Sequence, residues 1–172
     1  MATKRRRAPR DRLMPDSRTR IGLIADTHGL LRPAALAALA GCARIVHAGD
    51  VGAPEVLARL TAVAPVTAVR GNNDRGAWAA ALPREEVVDV GGTLLYVLHD
   101  LAELDLDPRA AGFAVVISGH SHRPHHEVRD GVHYVNPGSA GPRRFRLPIS
   151  LAELAFDGAG FELRFVTLAH EA

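Results

Sequence analysis

Short apolar segments alternate with helix-like segments in the first half of the chain, and each apolar segment ends in a cluster of polar residues. The apolar segments have the length and composition of buried strands. The helix-like segments begin at Pro33 and Pro54, and Gly41 ends the first of them, as is typical of helix termini. Strands that alternate with helices predict a parallel sheet with right-handed crossovers. The predicted strands are residues 21–25, 43–47 and 66–69, and the predicted helices are residues 33–40 and 54–60.

The second half of the chain has an antiparallel pattern, in which turn dipeptides separate runs of β-forming residues. Gly91-Gly92, Asp130-Gly131 and Asp157-Gly158 are such turn signals. A parallel half followed by antiparallel hairpins predicts two facing sheets with helices on the outside. The predicted strands of this half are residues 86–90, 93–98, 114–117, 126–129, 132–135, 149–156 and 161–168.

Composition and charge separate the chain into a basic N-terminal tail and one domain. The chain has 172 residues, of which 47% are hydrophobic and 23% are charged, so it predicts a globular protein of one domain. Residues 1–20 contain eight of the 21 Lys and Arg but two of the 19 acidic residues. Because this segment has almost no apolar residues, we predict a disordered tail over residues 1–20 and a single domain over residues 21–169. Nucleic acid is expected to bind weakly at most, through the tail.

Other features of the sequence exclude several protein classes. No apolar run approaches the ~18 residues of a membrane-spanning helix, and no apolar stretch of a secretory signal follows the basic start. The single cysteine, Cys42, cannot form an internal disulfide and is expected to be structural. We therefore predict a cytoplasmic protein with no membrane partner. The sequence does not predict its oligomeric state.

Five of the predicted strands are followed by side chains that can bind metal ions. Carboxyl ends of strands in open α/β sheets face a common crevice, and residues two apart in an extended segment point to the same side. The donors are carboxylate oxygens, imidazole nitrogens and one amide oxygen. Such a set suits Mn, Fe, Ni or Zn at two centres better than Ca or a structural zinc. The candidate ligands are Asp26 with His28, Asp50, Asn72, His99, and His120 with His122.

Each of these motifs has a more ordinary explanation when it is taken alone. An aspartate after a strand is commonly a turn or helix-capping residue, and Gly49-Asp50 is ordinary turn chemistry. A single histidine at a strand end, such as His99, is commonly half-buried with a hydrogen-bond partner, and packing is the favoured explanation for His47. Five such coincidences at five strand ends are improbable, so we predict a site for two metal ions. The remaining histidines are His125, His126 and His133, which are expected to be exposed, and His170, which is expected to lie in a frayed terminus.

The order of these motifs resembles the calcineurin-like metallophosphoesterases, and among them the small prokaryotic YfcE-type phosphodiesterases. In sequence order the motifs are Asp-x-His, Gly-Asp, Gly-Asn-x-Asp, His and Gly-His-x-His, and the segment Asn136–Ser139 resembles the loop that follows them in this group. The resemblance covers residues 21–168. It implies an α/β fold, a four-layer α/β/β/α sandwich of two mixed sheets.

The resemblance also implies a mechanism and a role for each candidate ligand. The implied enzyme is a phosphodiesterase that attacks a small phosphate ester with metal-bound hydroxide, and its catalytic residues are Asp50, Asn73 and His99. Its cofactors are two divalent transition-metal ions, of which Mn is favoured and Fe, Ni and Zn are alternatives. The implied assignment is Asp26, His28 and His122 to one ion, Asn72, His99 and His120 to the second, and Asp50 to a bridge between them.

Two residues depart from the family pattern. Asn73 occupies a position where phosphatases of this superfamily commonly have a histidine that protonates the leaving oxygen. Asparagine has no proton to give, so the resemblance implies phosphodiesters with good leaving groups. Asp100 follows His99 where the family usually has glycine, and it either orients His99 or disturbs metal affinity.

Two other functions compete with the enzyme. The retromer subunit of vacuolar sorting resembles the same fold and serves mainly as a binding scaffold. A complete set of seven candidate ligands favours the enzyme, since a scaffold has no need for all of them. The third function is a nucleic-acid-associated protein that uses the basic tail, which salt-sensitive binding lost on truncation would reveal.

Overall fold

The computed structural model describes residues 12–13 and 18–168 of the chain. Most of the predicted tail, and His170, lie outside these residues. None of the helices that it describes is long and apolar enough to span a membrane. The helices are α1 (Pro33–Leu39), α2 (Pro54–Thr61), α3 (Ala77–Ala80) and a 3₁₀ turn (Leu101–Glu103). The strands are β1 (Arg12–Leu13), β2 (Thr19–Ile24), β3 (Arg44–His47), β4 (Val66–Ala68), β5 (Glu85–Val90), β6 (Thr93–Leu98), β7 (Phe113–Ile117), β8 (Pro124–Arg129), β9 (Val132–Pro137), β10 (Ser150–Phe156) and β11 (Phe161–Thr167).

The strands form two mixed sheets. The five-stranded sheet has the order β11-β10-β2-β3-β4, in which β2, β3 and β4 are parallel and β10 is antiparallel to β2. The six-stranded sheet has the order β1-β5-β6-β7-β9-β8, in which β6, β7 and β9 are parallel. The hairpins β5–β6 and β8–β9 add antiparallel pairs to it. The parallel half and the later hairpins thus follow the predicted order.

Apolar side chains fill the space between the sheets and cover both outer faces. Between the sheets, residues such as Leu23 and Ile117 are fully buried. A second cluster, which includes Leu39 and Leu60, packs α1 and α2 against the five-stranded sheet. Because strand side chains alternate between faces, the third cluster, around Tyr96, covers the outer face of the six-stranded sheet. The predicted two-sheet α/β sandwich is confirmed.

The outer layer over the six-stranded sheet is thinner than the resemblance implies. A 3₁₀ turn and an irregular segment cover this face, and Leu101 and Leu104 pack against it. The local sequence explains why no α-helix forms here. Asp100 and Asp107 accept hydrogen bonds from backbone amides two and three residues further on, and such local bonds compete with a helix.

Strand β2 begins at Thr19, two residues earlier than the sequence predicts. Thr19 and Arg20 extend β2 along β10, and the Arg20 guanidinium donates a hydrogen bond of 2.5 Å to Glu153 Oε2. The short strand Arg12–Leu13 pairs in parallel with the end of β5. These residues fall in the segment predicted to be a tail. The positive charge of this segment predicted a solvated tail. The strands with which these residues pair lie far away in the sequence, so no local pattern indicates the pairing.

We expect Arg20→Met to lower the free energy of unfolding by about 1–2 kcal/mol at pH 7, because Glu153 is buried and would lose its shortest charged hydrogen bond. The hydrogen bond with Arg20 lowers the pKa of Glu153. The interaction therefore stabilises the fold above the ordinary carboxyl pKa and is lost as pH falls through the lowered value. Urea unfolding at pH 7 and pH 3 measures the difference, which should shrink in acid.

Arg164→Met is the matched control for this variant. The Arg164 guanidinium lies 3.6 Å from the same Glu153 oxygen, but its side chain is 64% exposed. Exposed ion pairs contribute little, so the control should lose less than about 0.5 kcal/mol. Equal losses in the two variants would show that Arg20 does not anchor the start of β2.

Candidate metal centre

The predicted ligands follow the carboxyl ends of strands from both sheets, and backbone hydrogen bonds bring these ends together. The Asp26 amide donates to the Gly49 carbonyl, which joins the loops after β2 and β3. The His120 amide donates to Asp26 Oδ2 at 3.0 Å, which joins the loop after β7 to the five-stranded sheet. His99 Nδ1, at the end of β6, lies 2.7 Å from the carbonyl oxygen of Ala48. The crevice therefore lies where the two sheets meet.

Most of the non-glycine residues with left-handed backbone conformation are candidate ligands. Among the described residues, seven non-glycine residues have positive φ, and five of these are predicted ligands. This conformation is uncommon for such residues and concentrates at functional sites. Their φ values are 54° at Asp26, 46° at His28, 54° at Asp50, 69° at His120 and 59° at His122.

The first group consists of Asp26, His28 and His122. The His28 and His122 Nε2 atoms lie 3.2 Å apart, and His122 Nε2 lies 3.4 Å from Asp26 Oδ1. Asp26 is fully buried, and its Oδ1 atom has no hydrogen-bond partner. A buried carboxylate oxygen without a partner is costly, and two imidazole nitrogens facing it complete a donor set for a divalent ion. These three residues therefore fit a metal ion.

The second group consists of Asn72, His99 and His120, with Asp50 between the two groups. Asn72 Oδ1 lies 3.0 Å from His99 Nε2 and 3.2 Å from His120 Nδ1. Asp50 Oδ2 lies 3.5 Å from His99 Nε2 and 3.8 Å from His28 Nε2. One carboxylate oxygen thus faces a histidine of each group. The structure brings all seven predicted ligands into a single crevice.

Surrounding contacts fix the ligands in place. The Ala48 carbonyl can only accept a hydrogen bond, so His99 Nδ1 donates to it and Nε2 is the nitrogen that faces Asn72 and Asp50. The loop after β4 approaches Asp50 so closely that a Cβ at Gly71 would lie 2.1 Å from Asp50 Oδ1. On the other side of the crevice, the Asn136 amide donates to the Gly119 carbonyl at 2.6 Å and holds the loop that carries His120.

Burial and charge set the protonation of the ligands. Burial raises the pKa of Asp26 to about 7. Burial alone would also raise the pKa of Asp50, but hydrogen bonds with His99 and Asn73 lower it overall. Burial lowers the pKa of His28 and lowers that of His122 to about 4, and the charge of Arg144 adds to both shifts. Near neutral pH these two histidines are therefore uncharged, as metal ligands must be.

Asn73 and Asp100 take positions that the sequence did not predict. The Asn73 backbone amide donates to Asp50 Oδ1 at 2.8 Å, and its side-chain amide donates to Asp50 Oδ2 at 2.7 Å. Asn73 therefore holds the central carboxylate. Asp100 caps the 3₁₀ turn, and its Oδ2 atom lies 3.8 Å from His120 Nε2. The alternative in which Asp100 orients His99 is wrong, because the Ala48 carbonyl performs that task.

Asp74 has a structural role that sequence reasoning missed. Its side chain is buried, and its two carboxylate oxygens accept backbone hydrogen bonds from Gly52 and Gly71, each 2.8 Å long. These bonds tie the loop that follows Asp50 to the loop that carries Asn72. Its place in the Gly-Asn-x-Asp motif was the available signal.

The other histidines have structural or surface positions. His47 is fully buried between the Thr27 hydroxyl and the Gly49 amide, and burial lowers its pKa to about 3. The expectation that His47 packs in the core is confirmed. His125 and His126 are exposed as expected, whereas His133 is half-buried and stacks against His126.

Candidate metal ligands at the strand ends of an α/β sandwich agree with the class of metallophosphoesterases that the motifs predict. The family model described as the calcineurin-like phosphoesterase superfamily domain matches residues 19–158. A probable metallophosphoesterase from Methanothermobacter thermautotrophicus is 30% identical over 158 residues, which are 85% of this chain and 91% of the relative. The chain belongs to the calcineurin-like phosphoesterase superfamily, as its motifs predicted.

Solved structures of several proteins share the fold. An archaeal phosphodiesterase covers 87% of this chain and 100% of its own, with a TM-score of 0.74 and 22% identity. The phosphoesterase YfcE of E. coli covers 88% and 100%, with a TM-score of 0.63 and 24% identity. Wild-type Vps29 of Entamoeba histolytica, complexed with Zn²⁺, covers 87% and 99%, with a TM-score of 0.65 and 21% identity. The fold thus occurs in phosphoesterases and in a vacuolar sorting protein.

In metal-free protein, we expect Asp26→Asn to raise the free energy of unfolding by about 1–3 kcal/mol at pH 8 and by much less at pH 5. The pKa of Asp26 is about 7 in the folded chain and near 4 in an unfolded one. The folded parent therefore loses stability as pH rises between these values, because it must release a proton that it binds more tightly than the unfolded chain does. The variant removes this cost.

Addition of Mn²⁺ should reverse the order of the two proteins at pH 8. The ion stabilises the parent, since it supplies the missing partner of Asp26 Oδ1, and it stabilises the variant much less. Thermal unfolding after chelation, with and without MnCl₂, measures both effects. An equal metal-induced shift of the melting temperature in parent and variant would contradict a role for Asp26 in metal binding.

Proposed function

We propose that the protein is a phosphodiesterase that uses two divalent transition-metal ions. The observation that carries the proposal is the position of Asp50 Oδ2, which lies within 3.8 Å of an imidazole nitrogen from each group. One carboxylate at that position can reach ions on both sides. The proposed ligands are Asp26, His28 and His122 for one ion, Asn72, His99 and His120 for the other, and Asp50 as the bridge.

The ions, which we propose to be Mn with Fe, Ni or Zn as alternatives, would supply a hydroxide nucleophile and offset charge on the phosphate. The residues of the chain would position these ions and set the protonation of their ligands. The hydrogen bonds from Asn73 keep Asp50 ionised and fixed. The Ala48 carbonyl keeps the proton on His99 Nδ1, so that Nε2 faces the crevice.

Two observations favour a phosphodiester over a phosphomonoester as the substrate. The Asn73 side chain is committed to Asp50, and an amide has no proton to give to a departing alkoxide. In addition, a cavity of about 210 Å³ adjoins Asn72 and His99 and is also lined by Arg70 and Arg84. It offers room for a second ester substituent. The archaeal phosphodiesterase of the same fold supports this choice.

A non-catalytic scaffold is the second candidate function. Vps29 shares the fold, and one such protein is complexed with Zn²⁺, so metal binding alone does not separate scaffold from enzyme. Turnover of a phosphodiester does separate them. A cytoplasmic location and weak nucleic-acid contact through residues 1–20 remain predictions.

We expect Asp50→Asn to reduce Mn²⁺-dependent hydrolysis of bis(4-nitrophenyl) phosphate by at least ~10²–10³-fold, the usual loss when one charge-stabilising group is removed. The amide keeps the shape of the side chain but lacks the negative charge shared by both groups. Asp130→Asn is the matched control, because Asp130 also has a left-handed backbone (φ 50°) but lies in the β8–β9 turn. Full activity of Asp50→Asn with two ions bound would contradict the bridge.

We expect Asn73→His to increase kcat/KM more for alkyl phosphodiesters than for 4-nitrophenyl esters, because only alkoxide leaving groups require a proton. Asn73→Ala should instead lower kcat/KM for both ester types by a similar factor. In this variant Asp50 loses a side-chain hydrogen bond, and that loss does not depend on which ester is hydrolysed. The measurement is kcat/KM for both esters in three proteins. A parent rate that does not depend on leaving-group pKa would show that another group already supplies the proton.

A further inference from the structure

The segment 141–148, here called the arginine loop, begins in contact with the first ligand group. A Cβ at Gly141 would lie 2.4 Å from the carbonyl oxygens of both Asp26 and Thr27. Just before it, the Ser139 hydroxyl donates to the Asp26 carbonyl at 2.9 Å. The Arg32 guanidinium donates to the Gly141 carbonyl at 3.3 Å. The arginine loop therefore begins at the wall of the crevice that contains Asp26.

The arginine loop presents an aromatic ring and positive charge to solvent. Phe145 is 90% exposed and has a left-handed backbone with φ of 53°. Both features are unfavourable for a phenylalanine: its burial would contribute about 2 kcal/mol, and the conformation is rare for a bulky residue. Arg143, Arg144 and Arg146 flank it and are exposed, and the segment contains no acidic residue.

The arginine loop starts beside the first ligand group. Gly141 contacts the carbonyl oxygens of Asp26 and Thr27, and the exposed Arg144 follows three residues later. Leu30 is a second exposed apolar residue, two residues after His28 on the same loop. The rim at the first ligand group therefore combines apolar surface with cationic charge.

Resting on the proposed function, we propose that the arginine loop binds the substrate and selects phosphodiesters that carry a nucleoside, with Phe145 stacked on the base and Arg144 paired with a phosphate oxygen. Exposed aromatic rings stack on any nucleobase, and a planar guanidinium matches phosphate oxygens. A protein partner fits less well, because one aromatic ring among three arginines is not the contiguous apolar patch of an interface core.

The test compares two ligands that differ by the base alone. Calorimetric titration of the full-length, Mn²⁺-loaded protein with adenosine 5′-monophosphate and with ribose 5-phosphate measures the contribution of the base directly. The adenine nucleotide should bind about 5- to 100-fold more tightly, the range of base stacking on an aromatic side chain. Phe145→Ala should abolish this preference, and Phe145→Tyr should keep it.

Two further variants separate stacking from general effects. Phe165→Ala is the matched control, since Phe165 is another exposed phenylalanine but lies on β11, and it should leave the preference unchanged. Arg144→Gln should weaken both ligands equally, by roughly 10-fold, and should reduce the salt dependence of binding. Arg144 is exposed, so the melting temperature of Arg144→Gln should match the parent. Phe165 is 38% exposed, so Phe165→Ala should melt somewhat lower, and its binding is measured well below its melting temperature.

The outcomes distinguish this inference from the proposed function. Equal affinities of the parent for the two ligands, or a base preference that survives in Phe145→Ala, would overturn the inference even if diesters are hydrolysed. Self-association that Phe145→Ala abolishes, without base preference, would also overturn it and would identify a docking loop. A base preference that depends on Phe145, in a protein that hydrolyses no phosphodiester, would support the loop and contradict the proposed function.

Discussion

The site depends on the hydrogen bonds that the buried residue Asp26 makes with the loops around it. Its backbone amide joins the loop after β3, its Oδ2 atom accepts the His120 amide from the other sheet, and its carbonyl accepts the Ser139 hydroxyl. These bonds hold the edges of both sheets together while Oδ1 has no partner. The fold therefore concentrates uncompensated negative charge at the point where the histidines converge, and a cation is the natural compensation.

The candidate ligands with left-handed backbone conformation lie in the same loops that the Asp26 hydrogen bonds hold together. These residues lie in the loops that follow β2, β3 and β7, where the left-handed conformation departs from the extended backbone of the strand. The strain is offset by the hydrogen bonds between loops, such as those that Asp74 accepts from Gly52 and Gly71. These hydrogen bonds restrict the loops that carry the ligands, and restricted loops lose less entropy on binding.

The sequence predicts the fold and the members of the candidate site better than the contacts among them. Asp26 and His99 could be found because each follows an apolar strand and parallel strand ends converge. The role of Asn73 could not, because its bonds to Asp50 depend on the conformation of two loops. The ordering of Arg20 depends on Glu153, 133 residues away, and no local pattern reports such a contact.

Titration of metal-free protein with Mn²⁺, while hydrolysis of bis(4-nitrophenyl) phosphate is followed, tests the central claim most directly. Two ligand groups on either side of Asp50 predict that the rate rises until two equivalents per chain have been added and is small after the first, because the proposed reaction would use both ions. A rate that saturates at one equivalent would contradict the two-ion site. Binding of two equivalents without hydrolysis would contradict the enzyme and leave the scaffold.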